Sequence, residues 1–164
     1  MPGLRSDVGE EFSPLPEERI GEPPGSGRAH WIFGTPADAG LAARARDAAT
    51  LVEELVCALF ELLTDPEKVQ ARDRRTVRTQ DPDPGTLLVR HLTEILTLHE
   101  TEDFVARDCR TSVVGAPPRE LSTTLRGEPF DPSRHPSRVA VKAITYHRLA
   151  VDWKAARARV IVDI

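Results

Sequence analysis

The sequence predicts an α+β fold, a single domain in which a mixed or antiparallel sheet has two helices packed on it. Two stretches repeat apolar residues at helical spacing, one around Leu55 and one around Leu92. Other segments alternate apolar and polar residues, as strands with one buried face do. These strands come in runs and do not alternate strictly with helices, which favours an α+β arrangement over a parallel α/β sheet.

The first 27 residues predict a leader outside the domain. Residues 1–27 contain five prolines, five glycines and six acidic residues, with Phe12 as their single aromatic residue. A segment of this composition has too little apolar surface to build a core. We therefore expect a disordered acidic leader at 1–27 and one domain at 28–164.

The domain is predicted to begin with two strands and a helix. Strands are expected at 29–33 and 41–46, separated by a turn at 34–40, and a helix is expected at about 51–64. Thr50 and Glu53 have the spacing of a capping box, which would start this helix. The later elements are a strand, a second helix and four further strands, at 74–79, 86–100, 103–114, 119–127, 139–153 and 157–164.

Composition and charge exclude several classes of function. No apolar run approaches the roughly 18 to 20 residues that span a bilayer, and the N-terminus lacks the basic and apolar regions of a secretory signal. A cytoplasmic protein without membrane contact is therefore expected. The leader accounts for the whole net charge of −4, since the remaining residues have 20 basic and 20 acidic side chains. A domain of zero net charge is not a cationic platform for nucleic acid.

The cysteines and histidines show no pattern of a reactive site. Cys57 and Cys109 form no C-x-x-C motif and no cluster with histidine, so they are interpreted as structural thiols. The five histidines lack zinc-ligand spacing and are interpreted as solvated or capping residues. The sequence thus favours neither zinc nor redox chemistry.

Carboxylates at two distant places in the chain give a candidate metal site. Asp38 is predicted to lie in the turn at 34–40, and Asp163 stands beside the α-carboxylate of Ile164 at the end of the last strand. If the sheet brings these segments together, three carboxylates converge, and oxygen ligands of this kind suit a hard divalent ion such as Ca²⁺ or Mg²⁺. The alternative from the residues alone is that Asp38 caps a turn and Asp163 is exposed.

Four segments in register resemble the archease family. They are LLTDPEKV at 62–69, GEPFDPSRHP at 127–136, VKAITYHRLAV at 141–151 and RVIVDI at 159–164. The resemblance implies a duplicated strand-helix-strand-strand architecture. It also implies a protein that is not an enzyme but a cofactor of the RtcB-type RNA ligase in tRNA splicing and RNA repair. Such a protein promotes guanylylation of the ligase and its repeated turnover, and meets RNA only through the ligase.

The resemblance also assigns roles to residues of this chain. A divalent-metal site, with Ca²⁺ as the first expectation and Mg²⁺ or Mn²⁺ as alternatives, maps to Asp38, Asp163 and Ile164. A lysine that is important for activation in the family maps to Lys142. These assignments are carried by the likeness of the motifs and not by spacing alone.

The chain departs from the family pattern in the N-terminal turn. Thr35 and Pro36 stand where the family usually has His-Thr, while Asp38 and Gly40 agree with it. Two other functions remain open, a small metal-dependent phosphoesterase and a chaperone-like interaction module. A phosphoesterase would need a base or nucleophile beside the metal, and the sequence places none there.

Overall fold

The structure is a computed structural model that describes residues 28–34 and 38–164. The predicted leader at 1–27 lies outside the described residues. The strands and helices in chain order are β1 (Ala29–Gly34), β2 (Asp38–Arg44), α1 (Ala48–Leu63), β3 (Asp73–Gln80), α2 (Pro84–Glu102), β4 (Phe104–Val114), β5 (Glu120–Pro129), β6 (Ala143–Ile144), β7 (Ala150–Asp152) and β8 (Arg157–Asp163). A short 3₁₀ helix, Pro66–Lys68, follows α1.

The described strands form two sheets. The larger sheet has the order β1-β2-β8-β6, and β7 also pairs with β8. The smaller sheet has the order β3-β5-β4. All of the pairs between described strands are antiparallel. The predicted α+β class, with one domain and two helices, is confirmed, and the strands divide between two sheets where one was expected.

The two sheets repeat one arrangement. β3, α2, β4 and β5 follow one another as strand, helix, strand and strand, and the last strand, β5, lies between the other two. β2, α1, β7 and β8 repeat this order, with β8 again in the middle. The unit from β3 to β5 stands between α1 and β7 in the chain. The duplicated architecture is therefore present as one unit inserted into the other.

Helix α1 is the central element of the core. It contacts β1 and β2 of the larger sheet and β4 of the smaller one, so apolar residues are needed around most of its circumference. Leu51, Leu55, Leu59 and Phe60 are among its fully buried side chains. α2 packs on the smaller sheet. Neither described helix is both long enough and apolar enough to cross a membrane.

The start of α1 differs from the prediction. The helix begins at Ala48, and its N-cap is Asp47, whose Oδ1 accepts a hydrogen bond from the Thr50 N–H at 2.8 Å. The prediction of a capping box formed by Thr50 and Glu53 is therefore wrong. Aspartate is at least as good an N-cap as threonine, and Asp47 stands earlier in the chain. Glu53 instead accepts a hydrogen bond from the Thr111 N–H of β4 at 2.8 Å, which joins α1 to the smaller sheet.

The continuous strand predicted at 139–153 is wrong. Only Ala143–Ile144 and Ala150–Asp152 are strand, and both pair with β8. Residues 145–149 leave the sheet as a loop, in which Arg148 has left-handed backbone with φ 51°. Mostly apolar residues flank the loop on both sides, at 139–144 and 149–151, so the sequence pattern does not reveal the interruption.

Two histidines contradict the expectation of solvated or capping roles. His91 on α2 is fully buried, with Nδ1 2.9 Å from Thr79 Oγ1 and Nε2 2.7 Å from Thr123 Oγ1. Burial lowers the pKa of His91 to about 4. His135 is also buried, and its Nε2 lies 3.1 Å from Glu128 Oε2. Both histidines are polar core residues that have hydrogen-bond partners, as buried polar groups require.

Candidate metal centre

The candidate site lies at one end of the larger sheet, where β2 begins and β8 ends. Asp38 and Asp163 are directly opposite each other in the antiparallel pairing of these strands. Side chains at such positions project from the same face, with Cβ atoms about 4.5–5.5 Å apart. The structure thus brings the two carboxylates together. The turn predicted at 34–40 is wrong for Asp38, which is the first residue of β2.

The two aspartates face away from the main core. Their neighbours Ala39 and Val162 belong to that core, and successive side chains of a strand point to opposite faces. The aspartate face also has a small apolar cluster, formed by Phe33, Ala42 and Ile161. Asp38 and Asp163 are each half-buried at the edge of this cluster.

Lys142 and Ile164 lie beside Asp163. The Lys142 N–H donates a hydrogen bond to the Asp163 carbonyl at 2.7 Å, and the next residue, Ala143, pairs with Asp163 in β6. Lys142 itself is exposed. The Ile164 side chain packs against the main core, which restrains the main chain after Asp163. The four residues singled out in the sequence therefore lie at the same end of the sheet.

Gly40 has a packing role next to the aspartate pair. It pairs with Phe33 of β1, and a Cβ atom at Gly40 would fall inside the Phe33 ring. The missing side chain therefore allows the aromatic ring to lie across β2, two residues from Asp38. This close approach explains why glycine is required at this position. The sequence pattern shows the glycine at position 40, but it does not show that the Phe33 ring packs against it.

The donor set suits a hard divalent cation. Two carboxylates opposite each other in a sheet repel, and a bound cation offsets that repulsion. Carboxylate oxygens favour Ca²⁺ or Mg²⁺. The described residues contain no group of three or more His, Cys, Asp or Glu side chains that could hold a metal ion. The two aspartates alone do not make such a group, and the main-chain carboxylate of Ile164 stays a predicted third donor.

An exposed loop beside the site was missed by sequence reasoning. The Thr145 N–H donates a hydrogen bond to the Ile161 carbonyl at 3.0 Å, so the 145–149 loop starts two residues from Asp163. Tyr146 in this loop is 56% exposed, and His147 is exposed as well. Exposed aromatic residues are enriched at protein interfaces. The signal in the sequence is the run of large side chains "TYHR" at 145–148, which lies inside the strand predicted at 139–153.

Comparison with known proteins gives the family of this fold. A profile of the Archease protein family matches residues 31–164, which span both repeats and all four of the site residues. The chain belongs to the archease family. The match extends to the last residue of the sequence, so the end of β8 is part of the archease pattern.

Several archeases are similar over most of their length. Protein archease of Sulfurisphaera tokodaii is 31% identical over 127 residues, which are 75% of this chain and 88% of the relative. Protein archease of Methanopyrus kandleri is 32% identical and covers 78% of this chain and 94% of the relative. Protein archease of Methanosarcina mazei is 30% identical and covers 86% of this chain and 99% of the relative. These names specify no enzymatic activity.

A solved structure has the same fold. The solution structure of Methanobacterium thermoautotrophicum protein 1598 matches with a TM-score of 0.67 and 31% sequence identity. The match covers 84% of this chain and 99% of that chain. The archease fold therefore extends over the described domain, and the predicted leader lies outside the family match, which begins at residue 31.

Proposed function

We propose that this archease activates an RtcB-type RNA ligase in tRNA splicing or RNA repair, without catalysis of its own. It promotes guanylylation of the ligase and repeated turnover in the cytoplasm, and it meets RNA only through the ligase. Membership of the archease family supports this proposal. The structural observation that carries it is the direct pairing of Asp38 with Asp163 at one end of the larger sheet.

The proposed metal centre has three oxygen donors. They are the side chains of Asp38 and Asp163 and the main-chain carboxylate of Ile164, with Ca²⁺ as the first candidate and Mg²⁺ or Mn²⁺ as alternatives. The β2–β8 pairing holds the two side chains in register, and the core packing of Ile164 restrains the third donor. A divalent ion bound there would neutralise phosphate charge and orient a nucleotide.

Residues next to the centre fit a protein partner. The main chain of Lys142 is bonded to Asp163, while its side chain is exposed and has a charge complementary to carboxylates or phosphates. Tyr146, close by, supplies exposed aromatic area. Tyrosine is one of the residue types in which interface hot spots are enriched. This end of the sheet is therefore the proposed contact with the ligase.

The test is a reconstituted ligase reaction. A cognate RtcB-type ligase is incubated with GTP, RNA and Ca²⁺, Mg²⁺ or Mn²⁺, with and without this protein, and covalent guanylylation and joined RNA are measured. The protein is expected to raise both the guanylylated fraction and the number of turnovers. No stimulation with any of the three ions would overturn the proposal.

A pair of aspartate variants separates the site from general effects. Asp38→Asn removes a proposed ligand, whereas Asp73→Asn changes an exposed aspartate at the equivalent first position of β3. We expect stimulation to be lost in the first and kept in the second. Lys142→Ala should reduce stimulation in the same assay, with Lys154→Ala, in the turn between β7 and β8, as its control.

The phosphoesterase alternative has its own readout. The protein alone is incubated with nitrophenyl phosphate monoester and diester substrates and each of the three ions. No described histidine or further acid joins Asp38 and Asp163 in a group that could hold a metal ion, and a hydrolytic enzyme would need a base next to the ion, so no turnover is expected. Hydrolysis that is abolished by Asp38→Asn would favour the enzyme.

A further inference from the structure

We propose that Cys57 and Cys109 form a reactive dithiol site, which hydrogen peroxide converts to an intramolecular disulfide that ties α1 to β4. The site lies between α1 and the smaller sheet, away from the proposed metal centre. It is independent of ligase activation, and its test uses no ligase. The cysteines are far apart in the sequence, so only the fold brings them together.

The two thiols meet where α1 packs on β4. Both line one cavity of about 120 Å³ between these elements. The Cys109 thiol donates a hydrogen bond to the Glu53 carbonyl, with Sγ 3.8 Å from the oxygen. Glu53 precedes Cys57 by one helical turn, and helical side chains lean over the turn before them. The Cys57 thiol therefore lies beside the carbonyl that Cys109 contacts, and both cysteines are free thiols.

The cysteines differ in their access to an oxidant. Cys57 is partly exposed, whereas Cys109 is buried. The cavity that they share is partly open to solvent. Since one water takes about 30 Å³, the cavity admits a molecule as small as hydrogen peroxide. Cys57 is thus positioned to react first and Cys109 to react second.

Cationic groups lie near Cys57. His30 is held between two carboxylates, with Nδ1 2.7 Å from Glu54 Oε2 and Nε2 2.8 Å from Glu61 Oε2. Burial lowers the pKa of His30, but these two hydrogen-bonded carboxylates outweigh it and raise the pKa to about 10. His30 is therefore a cation at neutral pH. Arg28, which pairs with Glu54 at 2.7 Å, adds a second positive charge.

These surroundings distinguish the two thiols chemically. When Cys57 is a thiolate, Cys109 donates its single S–H to it in place of the Glu53 carbonyl, and this hydrogen bond lowers the pKa of Cys57 against the effect of burial. The charges of His30 and Arg28 lower that pKa further, against the charge of Glu54. The same hydrogen bond and burial raise the pKa of Cys109. Reactive cysteines have lowered pKa values and partial exposure beside cations. Cys57 has these features, and Cys109, which lines the same cavity, is in the place of the neighbouring resolving thiol.

The oxidation is balanced in two steps. The Cys57 thiolate attacks one peroxide oxygen, the O–O bond breaks, and the departing hydroxide takes a proton to become water, which leaves a sulfenic acid on Cys57. The Cys109 sulfur then attacks the Cys57 sulfur, the S–O bond breaks, and the departing hydroxide takes the Cys109 proton as a second water. Two thiols are oxidised to one disulfide, and one peroxide is reduced to two waters.

The experiment uses the full chain. Reduced protein at low concentration is treated with one equivalent of hydrogen peroxide, and its intact mass and peptide map are recorded under non-reducing conditions. The expected product is a monomer that has lost two hydrogen atoms and in which the peptides of Cys57 and Cys109 are linked. A disulfide-linked dimer, or two separately oxidised cysteines without a link, would overturn the proposal.

Two single variants test the assigned order. In Cys109→Ser the Cys57 sulfenic acid should accumulate and be trapped by dimedone. In Cys57→Ser the buried Cys109 should lose its thiol at least about tenfold more slowly than Cys57 does in Cys109→Ser. The same variants unfolded in urea provide the control, because there the two thiols should react at similar rates. Equal rates in the folded variants would contradict the inference, and the wild-type peptide map decides the link even if one variant folds poorly.

Discussion

Glu128 and His135 are hydrogen-bonded in the interior, with His135 Nε2 3.1 Å from Glu128 Oε2. The same carboxylate accepts a hydrogen bond from the Gln70 N–H at 2.6 Å. The Arg134 guanidinium donates two more, at 2.7 and 3.1 Å. One buried acid therefore anchors the segment before β3 and the loop after β5. That loop leads to Lys142 and β6, so the Glu128 network supports the path of the chain into the proposed metal centre.

Replacement of Glu128 should lower the free energy of unfolding strongly at neutral pH and less strongly in acid. The hydrogen bonds from Arg134, opposed by burial and aided by Gln70 and His135, lower the pKa of Glu128 from 4.5 to about 2. Because folding lowers this pKa, the ionised carboxylate stabilises the folded protein at pH values above 4.5. This stabilisation is lost as the pH falls toward 2. Glu128→Gln is expected to lower the free energy of unfolding by about 3–5 kcal/mol at pH 7, the cost of breaking a buried ion pair, as measured by urea unfolding.

The pH dependence distinguishes the charge from the shape of Glu128. The stability gap between wild type and Glu128→Gln should narrow as the pH falls from about 4.5 to about 2.5. Glu94→Gln changes an exposed glutamate of α2 and is the control, since its stability should equal that of the wild type over this pH range. A gap that stays constant over this range would show that the carboxylate charge contributes nothing.

His91 should make the protein acid-sensitive in a higher range. Burial lowers its pKa from 6.5 to about 4, so the unfolded chain binds a proton at a pH where the folded chain does not. Stability should therefore fall as the pH drops from 6.5 to 4, by at most about 3 kcal/mol. Urea unfolding at pH 7.5 and 4.5 measures this loss. The loss should be smaller in His91→Gln and unchanged in His147→Gln, and equal losses in all three proteins would contradict the prediction.

Calcium should stabilise the folded protein through the aspartate pair. A ligand at a hundred times its Kd adds about 2.7 kcal/mol to the free energy of unfolding, which thermal unfolding with Ca²⁺ or EDTA detects. Asp38→Asn and Asp163→Asn should lose most of this gain, and so should a Gly-Ser extension after Ile164. Asp73→Asn should retain it. A double aspartate variant with an unchanged calcium response would remove the proposed centre but leave the family assignment intact.

Gly40→Ala should damage both stability and the site. The added methyl group overlaps the Phe33 ring, and overpacking of this kind costs about 1–3 kcal/mol. Gly34→Ala is the matched control, since a Cβ there meets nothing within 4 Å. Thermal unfolding with and without Ca²⁺ measures both effects. Equal unfolding temperatures for the two variants would show that Phe33 can move aside.

Tyr146→Ala should weaken the proposed contact with the ligase. Hot-spot aromatic residues contribute about 2 kcal/mol or more to binding, which is roughly a thirtyfold rise in Kd. Titration of the ligase with each variant, read as half-maximal stimulation, measures the change. Val114→Ala, at the other exposed large hydrophobic side chain of the described residues, should have no effect. A ligase response that is unchanged by Tyr146→Ala would contradict a contact at this end of the sheet.

Local patterns were enough to predict the helices and most strands. The helical spacing of leucines around Leu55 and Leu92 located both helices. α1 starts a few residues before its predicted start and ends just before its predicted end, and α2 extends slightly beyond both of its predicted bounds. The boundaries differed because caps are set by single side chains, as Asp47 shows. The division into two sheets was not predictable, since alternation reports which face of a strand is buried but not which strand lies beside it.

Site residues were predicted only where a motif pointed to them. Asp38 and Asp163 were singled out before the β2–β8 register placed them opposite each other. The cavity shared by Cys57 and Cys109 and the close approach of Gly40 to Phe33 are tertiary features, and each joins residues from different elements. Single-sequence periodicity has no information on such pairs, so these two were found only in the fold.

The inserted arrangement of the two repeats also sets an order of events during synthesis. The unit from β3 to β5 is continuous in the chain, so it can fold as soon as it has left the ribosome. The larger sheet lacks its middle strand until β8 has been made, after every other described element. Until then β2 exposes an unpaired strand edge, which is a template for aggregation. The pairing of Asp38 with Asp163 is thus among the last strand contacts to form in the described residues, and binding of a metal ion there would report that the larger sheet has been assembled.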